Sequence, residues 1–319
     1  MILSKTPLRV SFVGGGTDYF TNFETHGRVI ATTINKYLYV LLNKKHDDEI
    51  RISYSETENV KNVLHIKHEI IRETLKYFRI NKGIEIVTSA DIPSSGSGLG
   101  SSSALTVGLI NAINKYKNLN FTKSKLSKFA CEIEVNKCNK PIGMQDQYST
   151  CYGGFNKIIF KNNKIFVNKI NIPDSRLNNF QKKLMMFYTG VNRKADKILL
   201  KIKKNKNQFK NFHKLVKLVD EFEYELISGN LINLGQILHE NWMLKKDLST
   251  KVSSLKINEI YNNAISAGAE GGKILGAGGG GYFLFYVPEK KQRSVKKALS
   301  KLKQIEIDFE NKGSQTYLL

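Results

Sequence analysis

Apolar and polar residues alternate in strand fashion from Leu8 to Val13, and the run breaks at three consecutive glycines, Gly14 to Gly16. Val29 to Ile34 and Tyr37 to Leu42 repeat the β-rich pattern and predict two further strands. Between Leu64 and Arg79 the spacing turns helical, and Ile84 to Ser89 predicts a short strand before a segment of glycine and serine. A helix is expected over Ser102 to Tyr116. Leu126, Phe129, Ala130 and Ile133 fall at i, i+3, i+4 and i+7, so a second helix runs through Glu134. Phe155 to Phe160 and Lys164 to Val167 read as a hairpin turning at Asn162-Asn163.

Beyond Pro173 the pattern changes. Leu184 to Tyr188 predicts a strand, and Phe209 to Leu226, Leu231 to Lys245 and Ile257 to Ile265 predict helices. The strand Tyr282 to Val287, a lysine-rich helix and a last strand-like segment close the chain. Hairpins and helices without steady βα alternation predict an α+β chain of two domains, 1–174 and 175–319, divided near Pro173.

Composition narrows the classes. With 319 residues, 41% hydrophobic and 24% charged, the chain is of globular type. Three cysteines without a CxxC pair and six scattered histidines match neither a disulfide framework nor a zinc template. The longest apolar runs are strand-length, and Met1-Ile-Leu-Ser-Lys-Thr lacks signal-peptide architecture, so the expectation is a cytoplasmic protein without a membrane partner. The net charge of +22 comes from 42 lysines against 8 arginines, spread along the whole chain. Nucleic-acid readers concentrate basic residues on one element and interleave aromatics, so no nucleic-acid partner is expected. The charge acts as a background field favouring phosphorylated ligands.

Three segments could carry chemistry. In Ile92-Pro-Ser-Ser-Gly-Ser-Gly-Leu-Gly-Ser-Ser-Ser-Ala104, glycines 96, 98 and 100 let backbone approach a ligand just before a helix N-terminus, where unpartnered N–H groups favour phosphate. No Gly-Lys-Ser/Thr closes it, and its third glycine comes one residue early for the dinucleotide fingerprint. The bland alternative is a flexible turn with a serine cap. In Pro7-Leu-Arg-Val-Ser-Phe-Val-Gly-Gly-Gly-Thr-Asp18, a strand delivers Arg9, a glycine turn and Asp18 within twelve positions. Arg9 could stabilise a transferring phosphoryl group and Asp18 could hold sugar hydroxyls, or both could be ordinary strand and turn residues. In Pro141-Ile-Gly-Met-Gln-Asp-Gln147, Asp146 is a candidate general base in a loop, against a loop-capping role. Taken alone, Glu134 reads as a helix-surface residue, and Cys138 and Cys151 read as core filler.

In this order and spacing, the segments resemble the three motifs of the GHMP kinase superfamily, which includes galactokinase, homoserine kinase and mevalonate kinase. Pro93-x-x-x-Ser97-Gly-Leu-Gly-Ser-Ser-Ser-Ala104 is similar to that family's ATP-phosphate loop, and Gly143-Met-Gln-Asp-Gln147 to the segment carrying its catalytic aspartate. Lys273-Ile-Leu-Gly-Ala-Gly-Gly-Gly-Gly281 resembles the third, glycine-rich motif, which packs on the ATP loop. The similarity spans roughly Pro7 to Gly281. Gly14-Gly-Gly16 stands where galactokinases carry Gly-Glu-His, and the segment is most similar to the heptose 7-phosphate kinase branch, with fucokinases nearby. Losing a carboxylate and two side chains suits a longer, phosphorylated sugar.

The resemblance implies an N-terminal domain similar to ribosomal protein S5 domain 2 and a ferredoxin-like C-terminal domain, with the active site between them. It implies ATP-dependent phosphorylation of the anomeric hydroxyl of a heptose 7-phosphate, for nucleotide-activated heptose synthesis. ATP and Mg²⁺ are the implied cofactors. Ser95, Gly96, Ser97, Gly98, Leu99, Gly100, Ser101 and Ser102 would wrap ATP, with Ser102 and Glu134 on Mg²⁺. Asp146 would be the base and Arg9 its partner. Gly15, Gly16, Thr17, Asp18, Gly278 and Gly279 would meet the substrate. Its phosphate needs a cationic pocket, for which Arg193-Lys194 and the helical face of Trp242, Lys245 and Lys246 are candidates, against exposed basic surface. The alternatives are an anomeric kinase for fucose or galactose and, more distantly, a basic RNA-binding protein.

Overall fold

A computed structural model describes residues 1–19, 26–92, 96–162, 164–191, 198–199, 208–249 and 251–319. Ser95, Arg193 and Lys194 lie outside the described residues. The architecture is α+β. Thirteen described strands form a nine-stranded sheet and a four-stranded sheet.

The first sheet is built on two long antiparallel strands, β1 (Ile2–Val13) and β2 (Gly27–Lys44). β2 is one strand where the sequence predicts two. Pro7 pairs with Tyr37 but Leu8 with Ile34, so Asn35 and Lys36 bulge out of register without ending the strand. The bulge is satisfied from outside, because the Asn35 and Asp308 backbones and side chains hydrogen-bond to each other at 2.8–2.9 Å. Beside β2 lie β3 (Ile50–Ser53), β4 (Thr57–Val60) and β5 (Ile84–Ala90), with β3 and β5 parallel. The helix expected from Leu64 shrinks to α1 (Glu69–Tyr77), because His68 caps its N-terminus and a separate 3₁₀ turn takes Val63–His65.

On this sheet lies α2 (Ser101–Tyr116), buried along most of its length, so the pattern that announced it is apolar nearly all round. α3 (Lys123–Cys131) continues into a π-helical turn, Glu132–Lys137. Next come α4 (Gln145–Tyr152), then the hairpin β6 (Asn156–Lys161) and β7 (Lys164–Lys169), as the sequence anticipates.

α5 (Asp174–Lys182) leads to the second sheet, ordered β11 (Lys303–Ile305), β8 (Leu184–Tyr188), β10 (Tyr282–Tyr286), β9 (Gly271–Ile274). Its helices are α6 (Gln208–Ile227), α7 (Asn233–Asp247), α8 (Leu255–Ser266) and α9 (Glu289–Ala298). The chain then returns to the first sheet: β12 (Phe309–Glu310) pairs with β2 and β13 (Gln315–Leu318) with β1. Phe12 stacks on Phe155 and Phe222 and meets Phe180 and Phe309, so one aromatic cluster ties both ends of the chain together.

Candidate active site

β1 delivers Arg9, which is 3% exposed, into a cavity of about 220 Å³. Its Nε and Nη2 donate to the two carboxylate oxygens of Asp146 at 2.8 and 2.7 Å, and Nη1 donates to the Gly98 carbonyl at 2.5 Å. A forked pair of this kind fixes both position and orientation of the carboxylate. Asp146 sits in the first turn of α4, not in a loop, and its side chain is 23% exposed toward the cavity.

The glycine-serine loop meets Asp146 from the other side. Gly100 is the left-handed N-cap of α2 (φ 75°) and uses no side chain to cap the helix, which leaves the first-turn N–H groups open. Gly98 also has positive φ, and a Cβ there would collide with the Leu275 carbonyl. Gly276 packs on Gly98 in turn, and the Tyr282 N–H donates to the Ser97 carbonyl at 3.2 Å. The third glycine motif therefore lies directly against the loop.

Glu134 is fully buried, contrary to its surface reading. Ser102 Oγ donates to one carboxylate oxygen, while Ser103 Oγ and Gln147 Nε2 donate to the other, each at 2.7 Å. Burial pushes Glu134 above the usual carboxylate range, opposed by the Lys140 charge and these three donors. A buried carboxylate held only by neutral donors, touching a hydroxyl beside a phosphate-type loop, fits Mg²⁺, which takes one or two carboxylates and completes its shell with phosphate and water. Among the described residues no group of three or more His, Cys, Asp and Glu side chains forms a metal cage.

Across the cavity, Gly16 N–H and Gln145 N–H donate to the Asp18 carboxylate at 3.1 and 3.3 Å. Burial, and then the Asp146 charge, push Asp18 above its ordinary range. Gly143 is obligatory beside it, because a Cβ there would strike the Asp18 carboxylate. Gly15, Gly16 and Asp18 line the cavity. Thr17 lies behind it: its hydroxyl donates to the Gly14 and Arg28 carbonyls and accepts from Arg28 N–H. Gly278 and Gly279 pack on Val252, with Gly276 and Ala277 facing the cavity in their place.

Two buried lysines complete the floor. Lys245, 4% exposed on α7, is not part of the exposed basic surface that stood as the alternative to a pocket, and its Nζ donates to the Gly276 carbonyl. Burial and the Arg9 charge lower it to about 8, opposed by Asp18 and Asp146. Trp242 and Lys246 turn away, toward Tyr261. Lys273, on β9, is 1% exposed, and its Nζ donates to the Ser11 and Phe12 carbonyls at 2.8 Å each. In the sequence Lys273 is marked only by its place at the head of a glycine turn. Lys140 joins Ser101 and Ser102 in lining a second cavity of about 630 Å³, with Tyr54 and His68 among its walls.

Comparison with known proteins agrees with this geometry. The family described as GHMP kinases N terminal domain matches residues 63–154, and GHMP kinases C terminal matches residues 222–305. The chain is 33% identical to the D-glycero-alpha-D-manno-heptose 7-phosphate kinase of Campylobacter jejuni, over 97% of this chain and 96% of that one. It is 26% identical to the galactokinase of Pyrococcus furiosus, over 93% and 92% of the two chains. The fold matches the crystal structure of a D-glycero-D-manno-heptose 1-phosphate kinase from Bacteroides thetaiotaomicron at a TM-score of 0.82 and 23% identity, covering 100% of this chain and 99% of that one. No described helix is long and apolar enough to cross a membrane. Two family models that together match more than half of the chain and a kinase relative aligned over nearly its whole length, on a fold that sets a clamped aspartate across from a glycine-serine loop, make this chain a member of the GHMP kinase family, an ATP-dependent sugar kinase.

Proposed function

We propose that the acceptor is D-glycero-D-manno-heptose 7-phosphate and that the product is its 1,7-bisphosphate, made by transfer of the ATP γ-phosphoryl group to the anomeric hydroxyl. The substrate assignment draws on the Campylobacter jejuni relative, aligned over nearly the whole of both chains, and on the side-chain-free Gly14–Gly16 turn. The observation that carries the chemistry is the clamp of Arg9 on Asp146, facing the start of α2 across one cavity.

In this reading, Asp146 takes the hydroxyl proton and Arg9 keeps that carboxylate aimed. N–H groups of the Gly96–Ser102 loop hold the phosphates against the positive end of α2. Ser102 and Glu134 hold Mg²⁺, which supplies charge neutralisation on the phosphates. Asp18 and the Gly15-Gly16 backbone hold sugar hydroxyls. The nucleoside extends into the second cavity past Ser101 and Ser102, beside Tyr54 and His68. The product suits a pathway that activates heptose with a nucleotide, acting on cytoplasmic substrates.

The test is ATP consumption with heptose 7-phosphate, fucose and galactose offered separately. The reading expects kcat/KM at least ~10-fold higher for the phosphorylated heptose, the factor given by about 1.4 kcal/mol of added transition-state binding. Preference for either unphosphorylated sugar would replace it with the fucose or galactose alternative.

A further inference from the structure

We propose that Lys245 is a second cationic catalytic residue, whose ammonium contacts the phosphoryl group in transit while Arg9 is reserved for the base.

Three of the five Arg9 N–H bonds are committed, two to Asp146 and one to the Gly98 carbonyl. Arg9 is thus a clamp, and little of it remains for an incoming anion. Lys273 is also committed, to the Ser11 and Phe12 carbonyls near the end of β1. Lys245 differs. Of its three N–H bonds one goes to the Gly276 carbonyl, and the ammonium lines the same cavity as Asp146 and the phosphate loop.

Position points to the transferred group. Gly276 packs directly on Gly98, so its carbonyl holds the Lys245 ammonium beside the loop that cradles phosphate. A buried ammonium is costly without an anion, and a dianionic phosphoryl oxygen supplies one. In the step itself the acceptor oxygen bonds to the γ-phosphorus and the bond to the β-bridging oxygen breaks. ADP leaves with that electron pair, and the hydroxyl proton passes to Asp146. Lys245 exchanges neither proton nor electrons. It stabilises charge gathering on the phosphoryl oxygens in a dry site.

Four charged groups face this ammonium: Arg9 from β1, Asp18 from the following turn, Asp146 from α4 and Lys273 from β9. Burial first, then the Arg9 charge, opposed by Asp18 and Asp146, set the free lysine near 8. Its charge is present below that pH and lost above it. The kcat/KM profile, which reports the free enzyme, should fall on the alkaline side.

The proposal rests on Asp146 as the base. Lys245→Met and Lys245→Arg are assayed with whichever sugar the wild type turns over fastest, so an error in the heptose assignment leaves the test intact. Lys245→Met should lower kcat by ~10²-fold, with both KM values within about threefold. Lys245→Arg should recover part of kcat and move the alkaline limb of kcat/KM upward from about 8. Unchanged kcat with a raised acceptor KM would overturn the proposal and make Lys245 a ground-state sugar contact. An alkaline limb unmoved in Lys245→Arg would overturn it as well, and that variant decides the matter if Lys245→Met does not fold.

Discussion

Arginine is required at position 9 by shape as much as by charge, since two parallel hydrogen bonds to Asp146 and a third to Gly98 need a planar fork. Asp146→Asn keeps the size of the side chain and removes its basicity. It is expected to lower kcat by ~10²-fold or more while ATP binding, followed by fluorescence titration, stays close to wild type. Glu134 makes a different prediction. Its folded-state pKa is raised by burial, so the folded protein holds this proton more tightly than the unfolded chain does. Its ionisation therefore costs stability, progressively as pH rises from the unfolded-state value through the raised folded-state one. Glu134→Gln should raise Tm at pH 7.5 in metal-free buffer, yet abolish the extra Tm gained from Mg²⁺ with ADP. A lower metal-free Tm, or an undiminished Mg²⁺ response, would contradict the assignment. Arg9, Asp18 and Asp146 were legible in sequence because motif spacing brings them forward. Glu134 came forward only through the family resemblance: taken alone a glutamate near a helix end looks solvent-facing, although it stands eight residues after Leu126, on the flank of the buried stripe.

At the scale of elements, the phosphate loop is shaped by its neighbour. Gly98 and Gly276 approach so closely that neither tolerates a Cβ, and both have positive φ. Gly98→Ala should cost ~1–3 kcal/mol in stability, read as a lowered Tm, and should raise the ATP KM more than the sugar KM. Equal effects on both constants would mean the loop does not hold nucleotide. Helices α2, α6, α7 and α8 match the sequence pattern within about two residues, α2 because it is a long apolar run and the others because apolar residues recur at helical spacing. The sequence misled at the joins. Asp146 was expected in a loop because Gly143-Met144 looks like one, whereas α4 begins immediately afterwards. Splitting β2 in two was reasonable locally, but only the returning chain at Asp308 supplies the hydrogen bonds that let Asn35 bulge within a continuous strand. Such long-range partners leave no local trace.

For the whole molecule, two features follow from parts far apart in sequence. Phe12 touches aromatic rings from the β6 approach, α5, α6 and β12, so Phe12→Ala should cost ~3–5 kcal/mol and lower Tm without a selective effect on either KM. The net charge of +22 surrounds a cavity whose ligands are anionic. Long-range steering of this kind is screened within about 10 Å at 0.1 M salt. Raising NaCl from 0.02 to 0.5 M (roughly the span over which such screening sets in) should lower kcat/KM several-fold through KM, with kcat nearly constant. A flat profile would reduce the lysines to solubility alone.

The most direct test of the central claim is ³¹P NMR of the product formed from ATP and heptose 7-phosphate by wild type and by Asp146→Asn. A new phosphorus resonance coupled to the anomeric proton is expected with the wild-type enzyme, and its near absence with Asp146→Asn while ATP remains bound. Phosphate appearing on any other carbon, or equal product from the two enzymes, would contradict it.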